Sequence, residues 1–174
     1  MIDFIFRNSW WAIRKRPKIK IGFTLFDLII ETAGIVTILS MWILLMVTYS
    51  GLPDTIPIHY NGFGKVDGFG EKGNILKLSV TATVLFAGMT ILGRFPKIFN
   101  YPVRITENNA FLQYRNMARM IRCLKLAIVL VFGYIVLHTV LIAGENIGIW
   151  FVPVSLSIVF IPVIFFLVKS FMYR

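Results

Sequence analysis

Apolar and polar positions alternate along this chain in blocks of membrane size. Four runs, Leu28 to Tyr49, Leu76 to Leu92, Leu124 to Ala143 and Ile149 to Val168, are almost continuously apolar. A helix that crosses the hydrocarbon layer needs about 20 such residues, within a range of roughly 17 to 25. The pattern therefore predicts four transmembrane helices and an all-α membrane protein. The second run is the shortest and carries Ser79, Thr81, Thr83 and Thr90, hydroxyls expected to bond back to carbonyls of the preceding turn. Gly34, Ser40, Ala87 and Gly88 are candidate points of close helix approach, and Pro153 and Pro162 are expected to kink or stiffen the last run.

Composition changes the picture only by adding charge. Of 174 residues, 57% are hydrophobic and 15% charged, and the mean hydropathy of +0.79 exceeds what a soluble core of this size requires. Lys and Arg number 18 against 8 Asp and Glu, a net charge of +10. The excess brackets the apolar runs, which points to a bilayer with anionic headgroups and to topology, not to nucleic acid. Arg7, Arg14, Lys15, Arg16, Lys18 and Lys20 precede the first run. Arg94, Lys97, Arg104, Arg115, Arg119, Arg122 and Lys125 fall between the second and third, and Lys169 and Arg174 close the chain. The Leu52 to Gly73 connection holds only Lys65 and Lys72, with Lys77 just inside the second run, and the Gly144 to Gly148 turn holds neither Lys nor Arg. The positive-inside rule makes the expected topology N-in/C-in, with loop 51–75 extracytoplasmic and loop 93–123 cytoplasmic.

This organisation divides the chain into a basic amphipathic segment, 1–27, and a single four-helix transmembrane domain, 28–174. In the first segment Ile2, Phe6, Trp10 and Ile13 share a helical face with Trp11 beside them, as expected of a helix lying in the inner interface or packed under the bundle. No cleavable signal peptide is expected, because the first apolar run begins too late and is too long. Thr106, followed by Glu107, suits the opening of a helix. Along it Phe111, Tyr114, Ala118 and Ile121 form an apolar stripe, while Arg115, Arg119 and Arg122 recur on another face, where lipid headgroups or a cytoplasmic partner are the expected contacts. Asp27 and Glu31 enter the first run close to these arginines and are expected to snorkel or to pair with them; a coupled-proton role is the other option.

Candidate chemistry concentrates in the polar connection. In Ile56-Pro57-Ile58-His59-Tyr60-Asn61 the apolar residues alternate with Pro57, His59 and Asn61, a period of two that predicts a short edge strand with His59 and Asn61 on one face. The glycines of the GFGKVD and GFGEKG repeat that follows supply tight turns, so a hairpin capping the bundle is expected. The GxGxxG match at Gly68 to Gly73 lacks the βαβ unit that dinucleotide binding requires. Cys123 is the sole cysteine, which excludes an internal disulfide and a multi-cysteine metal cluster. His138 falls in the outer part of the third run, on the same side as His59, Asp54, Asp67, Glu71 and Glu145. Two histidines and a carboxylate suit zinc, which makes His59, His138 and Glu145 the candidate metal ligands; the same histidines could instead sense protons.

Leu52-Pro53-Asp54, Ile56 to Asn61, Gly64, and Asp67-Gly68-Phe69-Gly70-Glu71-Lys72 resemble the signature of a bacterial membrane family of unknown function. That family includes the first half of SdpI-type immunity proteins, which protect a cell from a secreted peptide toxin. Asn100 to Val103, Ile105 to Ala110 and Gln113-Tyr114 are also similar to a segment that small members carry. The resemblance implies a multi-span bacterial plasma-membrane protein with its motif loop outward and singles out His59, Asn61, Asp67 and Lys72. The motif-loop residues to test are Pro53, Asp54, Pro57, His59, Asn61, Gly64, Asp67, Gly68 and Lys72. No cofactor and no complete catalytic set is expected. The leading expectation is a non-catalytic protein whose loop binds an envelope peptide or membrane-protein partner, in signalling or immunity; the alternative is a metal-dependent membrane enzyme or transporter using His59 and His138.

Overall fold

The structure, a computed structural model, describes residues 13–142 and 145–174. Four helices correspond to the four apolar runs: α1 (Leu25–Thr48), α2 (Gly73–Leu92), α3 (Ala110–Leu141) and α4 (Phe151–Met172). Each is long and apolar enough to cross a membrane, which makes this a multi-pass membrane protein. An antiparallel hairpin of β1 (Thr55–Tyr60) and β2 (Val66–Glu71) joins α1 to α2. The amphipathic helix expected from Ile2 onward lies outside the described residues apart from Ile13, as do Ala143 and Gly144.

α3 is the hub against which α1, α2 and α4 all pack. Its 32 residues extend ~48 Å at ~1.5 Å per residue, well beyond a ~30 Å hydrocarbon layer, so the basic helix runs unbroken into the third span. Its start is set by a reciprocal pair of bonds. The Thr106 N–H donates to Asn109 Oδ1 at 2.9 Å, and the Asn109 N–H donates to Thr106 Oγ1 at 3.4 Å.

The buried residues of α1, Asp27, Gly34, Ile38, Met41 and Leu45, recur at three-, four- and seven-residue intervals and present one stripe to the bundle. Gly34 is a true contact point, since a Cβ there would stand 2.5 Å from the Phe86 ring of α2. The other candidate small residues are not contact points: Ser40 and Ala87 are exposed, and nothing lies within 4 Å of a Cβ added at Gly88. On α2, Ser79, Thr81, Thr83 and Thr90 each donate to the carbonyl four residues back, and Trp42 Nε1 reaches across from α1 to Thr83 Oγ1 at 3.0 Å.

α4 buries only Phe166 and Ser170 and hangs on α3 by polar contacts near its C-terminal end. Gln113 Nε2 donates to the carbonyls of Ser170 and Tyr173, Ser170 Oγ donates back to Gln113 Oε1, and Asn116 Nδ2 donates to the Phe166 carbonyl. Pro153 falls in the first turn of α4, where no helical bond is lost, so Pro162 alone interrupts the ladder.

Among the described residues there are two hydrophobic cores. One, around Leu45, Leu52, Ile56, Ile75 and Val136, joins the helices to the hairpin. The other packs Tyr101, Ala110, Tyr114 and Met117 at the opposite end. There Arg16 donates to the carbonyls of Lys97 and Phe99 and lies over the Tyr101 ring. Burial raises the Tyr101 hydroxyl above its ordinary pKa, keeping it the donor to the Pro96 carbonyl.

Between the cores, two carboxylates of α1 face three cations of α3. Arg122 reaches Asp27 Oδ1 at 2.8 Å and Glu31 Oε1 at 3.3 Å. Lys125 Nζ reaches Glu31 at 2.5 Å and Thr90 Oγ1 at 2.6 Å. Arg119 lies 3.4 Å from Asp27 and donates to Thr24 Oγ1. Arg119 and Arg122, expected to meet lipid headgroups, thus turn toward the carboxylates of α1, while Arg115 stays half-exposed over Phe111. The physical reason is that a carboxylate held in an apolar seam costs several kcal/mol unless a cation faces it.

Glu31→Gln, which leaves Lys125 buried without its carboxylate, should lower stability by about 3–5 kcal/mol. The double variant Glu31→Gln/Lys125→Met should lose less than the sum of the two single variants, as measured by unfolding in mixed micelles.

Candidate functional site

The hairpin is the ordered form of the motif loop, and its shape departs from simple alternation. Ile56 and Pro57 are both buried whereas Ile58 is half-exposed. The ladder pairs Pro57 with Phe69 and His59 with Gly68, then Tyr60 with Val66, so Ile58 on β1 and Asp67 on β2 are extra residues. Such bulges re-aim side chains. Gly68 makes room for the crossing, since a Cβ there would sit 3.0 Å from His59 Cβ.

Asn61 leaves the strand face expected for it and organises the turn. Its Oδ1 accepts from the Phe63 and Lys65 N–H groups, its N–H donates to the Lys65 carbonyl, and its carbonyl accepts from the Gly64 N–H. This is the ordinary use of an asparagine at a chain reversal. Gly64 has φ +72° and abuts the Gly148 backbone so closely that no Cβ fits. The Val66 N–H donates to Asn146 Oδ1 at 3.0 Å, and the Gly148 N–H donates to the Gly64 carbonyl at 3.4 Å. The two connections at this end of the bundle are therefore stitched together through the tip of the hairpin.

The charged motif residues pair locally. His59 Nδ1 lies 2.5 Å from Asp67 Oδ1, both side chains being well exposed, so the pair orients the ring but adds little stability. Lys72 Nζ reaches Asp54 Oδ1 at 3.0 Å and lies over the Tyr49 ring, while the Lys72 N–H donates to the Asp54 carbonyl. Pro53 is exposed beside Asp54. Pro57 and Asp67 complete the set on the two strands.

The two histidines sit in different settings, His59 exposed beside Asp67 and His138 buried. His138 is buried with its ring edge-on to Tyr60 at 6.2 Å and tilted against Tyr134 at 6.1 Å. Its Nδ1 makes no bond to Thr139 or to a carbonyl; that nitrogen and Tyr60 Oη are both buried without a hydrogen-bond partner. Glu145 is exposed. Among the described residues no three His, Cys, Asp or Glu side chains are grouped to hold a metal ion, so the set His59, His138 and Glu145 is not brought together.

Sequence reasoning missed one residue here and two more where α4 meets α3. Asn146 lies in a turn too short to look functional, and only the fold carries it to β2. Gln113 and Asn116 look like ordinary polar positions on a basic helix until α4 is laid beside them.

Comparison with known proteins adds a family signal over part of the chain. Residues 36–83 match the family model described as Domain of unknown function (DUF1648), a stretch running from α1 through the hairpin into α2. An uncharacterized protein of the archaeon Archaeoglobus fulgidus is 29% identical over 77 residues, which cover 40% of this chain and 42% of that protein. The chain thus spans less than half the length of that relative. No solved structure matches it.

Gly64→Ala should detach the hairpin tip from the Asn146–Gly148 turn. The expected result is faster tryptic cleavage at Lys65 in the detergent-purified protein, with helical circular dichroism unchanged, and Asn146→Ala should show a weaker form of the same effect.

Proposed function

We propose that this chain is a non-catalytic integral protein of the bacterial plasma membrane, oriented N-in/C-in, whose outward hairpin binds an envelope peptide or a partner membrane protein. The orientation follows from the charge asymmetry: Arg94, Lys97, Arg104 and Arg115 lie at the end opposite the hairpin, which itself holds few cations. The observation that carries the binding role is the apolar dress of an otherwise polar element. Ile58, Phe63 and Phe69 are 50%, 68% and 58% exposed on a hairpin whose tip and strands are fixed by the contacts of Asn61, Gly64 and Asn146.

Aromatic side chains held rigidly beside charged pairs are suited to anchoring a ligand, because little conformational entropy is lost when they are covered. His59, Asp67, Asp54 and Lys72 would supply the polar rim. The unfilled hydrogen-bonding capacity of Tyr60 and His138 lies beneath this surface and favours a ligand with a polar group to insert. Signalling and immunity to a peptide are the roles such a receptor would serve. The metal-dependent reading using His59 and His138 has no geometric support among the described residues.

A cysteine placed at Lys65 in a Cys123→Ser background should react with a membrane-impermeant maleimide in intact cells. Labelling only after disruption would reverse the orientation. Phe63→Ser/Phe69→Ser and His59→Ala should reach the membrane at normal levels yet fail to complement a deletion strain; full complementation by all of them reduces the hairpin to a connection.

A further inference from the structure

At the end of the bundle opposite the hairpin, a cavity of about 670 Å³ opens between α1, α2 and α3, beneath the chain that leads into α1. That is within the volume range of small-molecule sites, roughly 300–1,000 Å³. Its floor is polar, formed by Glu31, Thr90, Arg122 and Lys125, and its rim carries Lys20 and Arg94. Its walls are apolar, including Phe23, Met89 and Ile121.

The charges do not balance. Four cations line the space against one carboxylate, Glu31, and Asp27 behind Arg122 is shared with Arg119. Arg122 uses one terminal nitrogen on Asp27 and its Nε on Glu31, so its other terminal nitrogen has no hydrogen-bond partner among the described residues. Lys20 and Arg94 are exposed and form no ion pair among the described residues. The two rim cations therefore find no carboxylate among the described residues and are open to an anion at the mouth of the cavity.

Depth narrows the choice. Counting back ~20 residues, one hydrocarbon thickness, from the hairpin ends of α1 and α3 reaches Ile29 and Arg122. The floor therefore lies at or just inside the hydrocarbon boundary, and the rim cations lie at headgroup level. Guanidinium and ammonium groups are the usual partners of a phosphate, and basic pockets between transmembrane helices suit phosphorylated headgroups.

We propose that this cavity binds a phosphate group, carried by an anionic phospholipid whose headgroup meets Lys20, Arg94, Arg122 and Lys125 while its glycerol and acyl portions lie on the apolar walls. The site is separate from the hairpin, and its test does not depend on what the hairpin binds.

The full chain would be equilibrated with mixed micelles of phosphatidylglycerol and phosphatidylcholine in equal amounts, and the retained lipid read by native mass spectrometry. The expected result is selective retention of phosphatidylglycerol that falls roughly tenfold or more in Lys20→Gln/Arg94→Gln, whose removed side chains are exposed and structurally unpaired. Arg115→Gln/Lys169→Gln removes the same charge from the same end of the bundle away from the cavity, and should retain lipid as the wild type does. An equal fall in both double variants would mean diffuse surface attraction, and absence of selectivity in the wild type would mean no site; either overturns the proposal. A third arm adds inorganic phosphate: if it displaces the lipid at millimolar concentration while Lys20→Gln/Arg94→Gln no longer binds it, the phosphate site stands and its source is the free ion. Retention unaffected by phosphate assigns the site to the lipid.

Discussion

The fold depends on an ionic seam set between two hydrophobic cores. Asp27 and Glu31, one turn apart on α1, meet Arg119, Arg122 and Lys125, spaced by three residues along α3. Lipid cannot solvate either set, so the low-energy arrangement is the one in which each charge finds another, and this fixes the axial register of α1 on α3. Apolar packing alone would leave that register loosely specified, because a helix sliding by one turn in lipid exchanges one hydrocarbon contact for another. Thr90 extends the seam to α2 through Lys125. Three helices are therefore indexed by a few polar atoms, and the cavity beside the seam is lined by the same side chains.

The same logic recurs with weaker groups at α4. That helix exposes most of its apolar side chains, as a lipid-facing element should, and is located by the amides of Gln113 and Asn116. At the other end, where water replaces lipid, the device changes. A glycine-rich hairpin folds through an asparagine-centred turn and is tied to the α3–α4 turn by one backbone bond and by the Asn146 side chain, while Leu52 and Ile56 anchor its base in the helical core. In both settings polar contacts specify position and apolar contacts supply bulk.

How much of this was legible beforehand differs by residue type. The spans, the continuous α3, the back-bonding hydroxyls of α2 and a hairpin between α1 and α2 all follow from local pattern. Pairing of Asp27 and Glu31 with the middle-loop arginines was also readable, since lone carboxylates at a membrane edge require cations. The cationic stripe of α3 is less legible. Arg119 and Arg122 repeat at helical spacing on a polar face, and periodicity carries no information on whether that face meets headgroups or a neighbouring helix. Strict alternation likewise placed Asn61 beside His59, whereas bulges at Ile58 and Asp67 shift the face.

Sequence alone determined the quantities that sum along the chain: four segments apolar and long enough to cross a bilayer, the cationic bias of one end, and the turn chemistry of the glycine-rich connection. Each reflects the transfer of successive residues between water and lipid, which needs no knowledge of neighbours. Tertiary structure decided what depends on which distant groups meet. It turned Arg122 and Lys125 inward, buried His138 while leaving His59 exposed, carried Asn146 to the hairpin and left a cationic cavity between three helices. Those outcomes depend on distance and desolvation between residues far apart in the chain, and only the packed bundle specifies either.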